Sequence, residues 1–286
     1  MKKIMKFKSL KSDSKAVAGI MVAVLLVGLF FSIIAFIQSV YVPQWMSDKE
    51  SENMDDILDQ FSSLKSSVDL LILTGQKQNP VSTRIKIGTK ELPFLFSQRS
   101  FGNLDLLPNG FSINVSYLEG GSLDYHVFNL GSLKYSSLNN YYIQKSCIYE
   151  NGAVILSQSS GEALIMDPDI SVSDQKMTLN LVGLCGFQNY SSLSGYGTYP
   201  IKTEFSFNDI WFYQTVKSIN FTTSNSKTWK KLINDSLKDT TLDYYNGDYE
   251  IIDYSDGFGI IFHVDGFSAD VEINYIKTKV TPGWTI

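Results

Sequence analysis

The chain has 286 residues, 44% hydrophobic and 19% charged, with two cysteines and a formal net charge of −5. That length can bury a core without disulfide staples, and 16 Tyr, 18 Phe and 4 Trp among abundant Asn, Ser, Gly and Thr favour strands and turns. Residues 1–15 carry six lysines against Asp13, a balance of +5 that leaves −10 for residues 16–286; an acidic body without clustered Lys and Arg excludes nucleic acid as a partner.

The basic leader, residues 1–15, runs into an apolar block. From Ala16 to Ile37 there are 22 residues without a charge, which as a helix span about 33 Å and match a bilayer core of about 30 Å. Secretory apolar regions are shorter, about 7–15 residues, so the block reads as a retained span over 16–42. Tyr41 and Trp45 suit the membrane interface and Pro43 suits a bend. Lysines before the span and an acidic body after it place the amino terminus in the cytoplasm and the body outside. Gly19, Ala23 and Gly28 offer a small-residue face for helix contacts in lipid; a plain anchor needs no such contact.

The lysine-rich leader followed by "KAVAGIMVAVLLVGLFFSIIAF" resembles the amino terminus of archaeal type IV pilins and pilin-like surface proteins. The resemblance implies that a prepilin peptidase cuts near Ala16–Val17 or Ala18–Gly19 and that the stem self-associates in a filament core or stays as an anchor. The continuation "QSVYVPQWMSDKESEN" is similar to a group of archaeal proteins that join such a stem to a β-rich exterior. One departure stands out: bacterial type IV pilins place a glutamate at the fifth mature position, and no acidic residue occurs from Val17 to Met46.

Residues 46–76 predict an amphipathic helix. Ser47 and Glu50 have capping-box spacing, Met54, Ile57, Phe61, Leu64, Val68 and Leu71 recur at steps of three and four, and Gly75 ends the pattern. Its seam packs either on the chain's own β-domain or in a coiled-coil stalk between subunits, for which it is short.

From Val81 the period becomes two. Val81, Thr83, Ile85 and Ile87 alternate with polar residues, as do Phe111 to Tyr117 and Ile201 to Phe207. Asn151-Gly152 between two apolar runs predicts a hairpin, and Asn246-Gly247, Asp256-Gly257 and Asp265-Gly266 give the last third the look of a meander. "NSKTWKKLINDSLKD" predicts one short helix with Ser226 as cap and Trp229, Leu232, Ile233 and Leu237 on one face. The expected fold is mainly β: an antiparallel β-sandwich, jelly-roll or immunoglobulin-like, over residues 80–286.

Chemistry-bearing patterns are sparse. The chain has no G-x-S-x-G, P-loop or dinucleotide fingerprint, and its histidines, His126 and His263, sit in strand-like runs. Glu150, Glu162, Asp167, Asp169 and Glu204 provide acids for a glycosidase, but none stands out as a pair. Asp167, Asp169, Asp253, Asp256 and Asp265 offer hard oxygens for calcium, yet Asp-Pro and Asp-Gly are ordinary turn formers. No catalytic, cofactor or metal ligand set is assigned. Cys147 and Cys185 either close a disulfide or remain free thiols. Sequons at Asn114, Asn189, Asn220 and Asn234 are candidate glycosylation sites outside the cell.

The expectation is a membrane-anchored or filament-forming surface protein of structural or adhesive role rather than an enzyme. The alternatives are a solitary anchored module that binds an envelope glycan or protein, and a surface carbohydrate-active enzyme.

Overall fold

The computed structural model describes residues 14–89, 99–186 and 192–280. The chain forms two compact units that divide between Asp48 and Lys49.

In the first unit α1 (Ser14–Phe36) leads into a π-helical turn at Ile37–Tyr41, after which α2 (Val42–Thr74) begins. The Val42 N–H donates to the Ile37 carbonyl, five residues back. Pro43 explains this widened turn. It has no N–H, and its ring crowds the carbonyl four residues earlier; a wider turn just before it keeps the chain helical. The capping box expected at Ser47 and Glu50 is therefore absent, because α2 has already started at Val42.

The second unit begins within α2. Met54, Ile57, Phe61, Leu64, Val68 and Leu71 are all buried, and they share a core with Ile85, Leu104, Tyr135 and Ile276. The seam thus packs on the chain's own strands. Gly75, at φ +58°, ends the helix by donating to the Leu71 carbonyl at 3.0 Å, a left-handed cap that glycine adopts without strain.

The strands are β1 (Val81–Lys86), β2 (Phe101–Glu119), β3 (Ser122–Leu138), β4 (Lys145–Glu150), β5 (Ala153–Gln158), β6 (Gly161–Met166), β7 (Ile170–Ser173), β8 (Lys176–Gly186), β9 (Ser192–Gly195), β10 (Thr198–Tyr213), β11 (Val216–Thr223), β12 (Tyr249–Tyr254), β13 (Gly257–Phe262) and β14 (Ser268–Val280). The helix α3 (Ser226–Lys238) lies between β11 and β12. Among the described residues one sheet has five strands, in the order β1-β10-β14-β8-β7; the other has nine, in the order β12-β13-β11-β2-β3-β4-β5-β6, with β9 also pairing β2. Asn151 (φ +48°) and Gly152 (φ +76°) make the predicted hairpin turn between β4 and β5. Gly120 and Gly121, both with positive φ, do the same for the long β2–β3 hairpin.

The last third is a meander only as far as β12 and β13, which pair as a hairpin at the predicted Asp256-Gly257 turn. Asp265-Gly266 lies between β13 and β14, which belong to different sheets, and β14 runs parallel to β8, with Val271 opposite Leu179 and Ile273 opposite Leu181. Those four side chains are buried, so apolar matching favours this pairing over a further hairpin. Phe111, Ile113 and Phe221 from the larger sheet share a second core with Leu179, Val271 and Ile273 from the smaller. Trp229, Ile233 and Leu237 of α3 join it. Asn225, not Ser226, is the N-cap of α3, and it makes no side-chain cap bond. Its amide donates instead to Glu150 at 3.1 Å.

Candidate functional site

In α1 the apolar residues point outward on every side: Leu25 is 72% exposed, and Ile20, Val24, Phe30, Phe31 and Ile33 are exposed as well. A helix apolar all round must be covered by lipid or by other helices. Its 23 residues span about 35 Å, long and apolar enough to cross a membrane. Ala16 to Gly19 lie in α1, with Val17, Ala18 and Gly19 exposed. A Cβ added at Gly19 or Gly28 would meet nothing within 4 Å, so neither glycine is needed for packing within the chain.

Of the two alternatives for the cysteines, the structure has the second. Cys147 and Cys185 are free thiols: Cys147 faces the buried side of β4 among Tyr135 and Tyr149, whereas Cys185 is exposed near the end of β8. Burial pushes both thiols up, that of Cys185 being partly offset by Lys277, so neither resembles an activated nucleophile.

The sequons fare differently. Asn114 in β2 lies directly opposite Asn220 in β11. Both are half-buried, each with a shielded Oδ1 that has no hydrogen-bond partner, a position in mid-sheet unlike an exposed acceptor loop. Asn234 lies on α3 and is half-buried. Asn189 falls outside the described residues.

Among the acids, Glu150 and Glu162 come within electrostatic reach of each other. Glu150 is sealed in the interior, where its Oε1 accepts from Trp229 Nε1 at 2.6 Å, Thr223 Oγ1 at 3.0 Å and Asn225 Nδ2 at 3.1 Å. Burial raises its pKa above the ordinary glutamate value, and these three donors oppose that rise. Glu150 therefore ties α3 to β4, and it is enclosed away from solvent. Glu162 accepts from Thr228 at 2.7 Å, and Asp253 accepts from Lys230. His126 Nδ1 lies 2.5 Å from the Tyr213 hydroxyl and its ring meets Trp211 edge-on; burial lowers its pKa. His263 is exposed.

Two surfaces escaped the sequence reading. The first is a sheet edge. Among the described residues β1 pairs β10 from Thr198 to Thr203 and Lys77 bridges Phe205, and the other flank of β10 continues beside β14 to Tyr213. The exposed edge carries Phe207, Ile210, Trp211 and Phe212, the last 72% exposed. A bulge between Phe205 and Phe207 interrupts the register there, and Phe207 stacks on Tyr275 at 4.5 Å.

The second is a cleft of about 650 Å³ between α3 and β12, closed at one end by the loop that joins them. Lys230, Asn234 and Lys238, four residues apart along α3, line it together with the exposed Tyr244 and Tyr245 and the buried Tyr249. Tyr245 is 94% exposed and Tyr244 51%. The only hint in the sequence is the Tyr-Tyr pair before Asn246-Gly247, which the turn signal masked. Set beside protein-family profiles, curated proteins and solved structures, the chain matches none.

Proposed function

We propose that the protein is a membrane-anchored or filament-forming surface protein of structural or adhesive role, similar to archaeal type IV pilins, whose body is displayed outside the cell. The observation that carries this reading is α1: a long helix, apolar on every side and uncovered, on a chain that also folds a body with its own buried cores. Lipid or neighbouring stems would cover that helix. Lysines precede the span and an acidic body follows it, which supports an extracellular body. The cores shared by the two sheets support reading the body as a β-sandwich.

The small residues Gly19, Ala23 and Gly28 support self-association through the stem, with a prepilin peptidase acting near Ala16–Gly19. Glu150 bears on the enzyme alternative: a carboxylate with a raised pKa is a feature of glycosidase acids, yet this one is enclosed and bonded three times on one oxygen. The solitary binding module is the second reading, favoured by the tyrosine-lined cleft.

Mass spectrometry of the native amino terminus in membrane and extracellular fractions tests the proposal. A start between Val17 and Gly19 in a detergent-resistant assembly is the expected result for a filament subunit. An intact Met1 on an integral membrane protein would leave a single-pass anchor. Recovery of the full chain in a fraction freed of membrane and filaments would overturn the proposal.

A further inference from the structure

We infer that the cleft between α3 and β12 is a binding site for neutral glycans. The inference deepens the surface-display reading and rests on it for biological context, but the site is argued from its own chemistry.

The backbone of the loop that carries Tyr244 and Tyr245 is braced by hydrogen bonds. Thr240 N–H and hydroxyl both donate to the Leu237 carbonyl. Thr241 N–H donates to Asp174 at 2.8 Å, and Asp243 N–H donates to Asp248 at 2.8 Å. Tyr245 N–H donates in turn to Asp243 Oδ1 at 2.8 Å, while Gly247, at φ +81°, closes the turn. A backbone braced in this way leaves less main-chain ordering entropy to be lost on binding. Tyr244 meets Tyr245 edge to face at 5.8 Å and lies 5.8 Å from the ring of Tyr249.

Hydrogen-bonding groups share the lining with these rings. Asn234 contributes an amide, Thr241 a hydroxyl and Lys238 an ammonium, while the Thr240 hydroxyl is taken up by Leu237 and Leu242 of the loop itself. A pyranose ring has the matching pair of surfaces: a C–H face that packs on an aromatic ring, and a rim of hydroxyls that both donate and accept. The volume lies within the usual range for small-ligand clefts.

Charge decides between neutral and acidic sugars. Lys230 is held by both oxygens of Asp253 at 2.7 Å, and Lys238 lies 3.6 Å from Asp235. Asp243 adds another carboxylate to the lining. The cleft therefore has no surplus positive charge for a uronic or sialic acid, and its carboxylate favours a hydroxyl donor. A glycan attached to Asn234 would fill the same space, so the inference requires Asn234 to be unmodified in the native protein.

The test uses the purified full chain in a detergent without a sugar headgroup. Cellohexaose, mannohexaose and N-acetylchitohexaose serve as neutral probes, and hexagalacturonate serves as the acidic one, each titrated by calorimetry to about 5 mM. At least one neutral probe should bind, with little dependence on salt. Tyr245→Ala and Tyr244→Ala should each weaken binding roughly five- to tenfold. Tyr125→Ala, which removes an exposed tyrosine on β3, should leave binding unchanged. The inference is overturned by no neutral probe binding, by equal affinity in Tyr245→Ala and wild type, by preferential and salt-sensitive binding of hexagalacturonate, or by a glycan found on Asn234. Membrane fractionation is read separately: an anchored chain that binds no probe sinks the cleft alone, and a glycan-binding chain that is not anchored sinks the display reading alone.

Discussion

Replacing Glu50 by Gln exchanges one oxygen for an NH2 group at the point where the first turns of the second unit are tied to the strand connection beyond β3. Glu50 is fully buried. Its Oε1 accepts the backbone N–H of Asn140 at 2.9 Å, and its Oε2 accepts those of Tyr141 at 2.8 Å and Tyr142 at 2.7 Å. A glutamine has one acceptor oxygen, so its better orientation keeps the two bonds to Tyr141 and Tyr142 and turns a donor toward the Asn140 N–H. That unmet buried donor costs about 1–3 kcal/mol, and the loss of charge from the two remaining bonds costs about 1 kcal/mol each. The total is about 3–5 kcal/mol, and for a unit of this size it lowers the melting temperature by about 6–20 °C. Thermal melts of the full chain in detergent, followed by circular dichroism, measure it. Glu52→Gln is the control: Glu52 is exposed and pairs with exposed Lys49, so its melting temperature should stay within about 2 °C of wild type. A Glu50→Gln melt within about 2 °C of wild type would refute the reasoning.

Two further outcomes follow from the same structure. Burial of Glu150 raises its folded pKa above the unfolded one, so its contribution to stability is full below the ordinary glutamate range and is lost as pH rises through the raised value. The stability difference between wild type and Glu150→Gln should accordingly fall with pH across that window, by at most about 1.4 kcal/mol per unit, as read from urea melts at several pH values; a flat difference would show that Glu150 titrates as it does in the unfolded chain. At the open edge of β10, Ile210→Lys combined with Phe212→Lys removes exposed apolar surface from a flank that invites strand addition. Static light scattering should show the purified chain staying dispersed to higher concentration, and unchanged scattering would mean that this edge does not govern association.

Much of the local structure was legible in the residues themselves. The apolar block could only be a helix needing cover, because 22 uncharged residues leave no face for water. The three-four spacing from Met54 to Leu71 named the buried side of α2, and Asn151-Gly152 named its turn, since positive φ at both positions suits few other pairs. Tertiary contacts decided the rest. Glu50, spaced as a capping residue, binds backbone 90 residues away in sequence. Asp265-Gly266 turns the chain from one sheet into the other, where β14 finds a parallel partner in β8. Cys147 and Cys185 remain apart because one faces the core and the other faces solvent. Periodicity and turn chemistry act over a few residues, and so they can be read along the chain; strand order, buried polar ties and the tyrosine cleft depend on which distant segments meet, and only the folded chain fixes that.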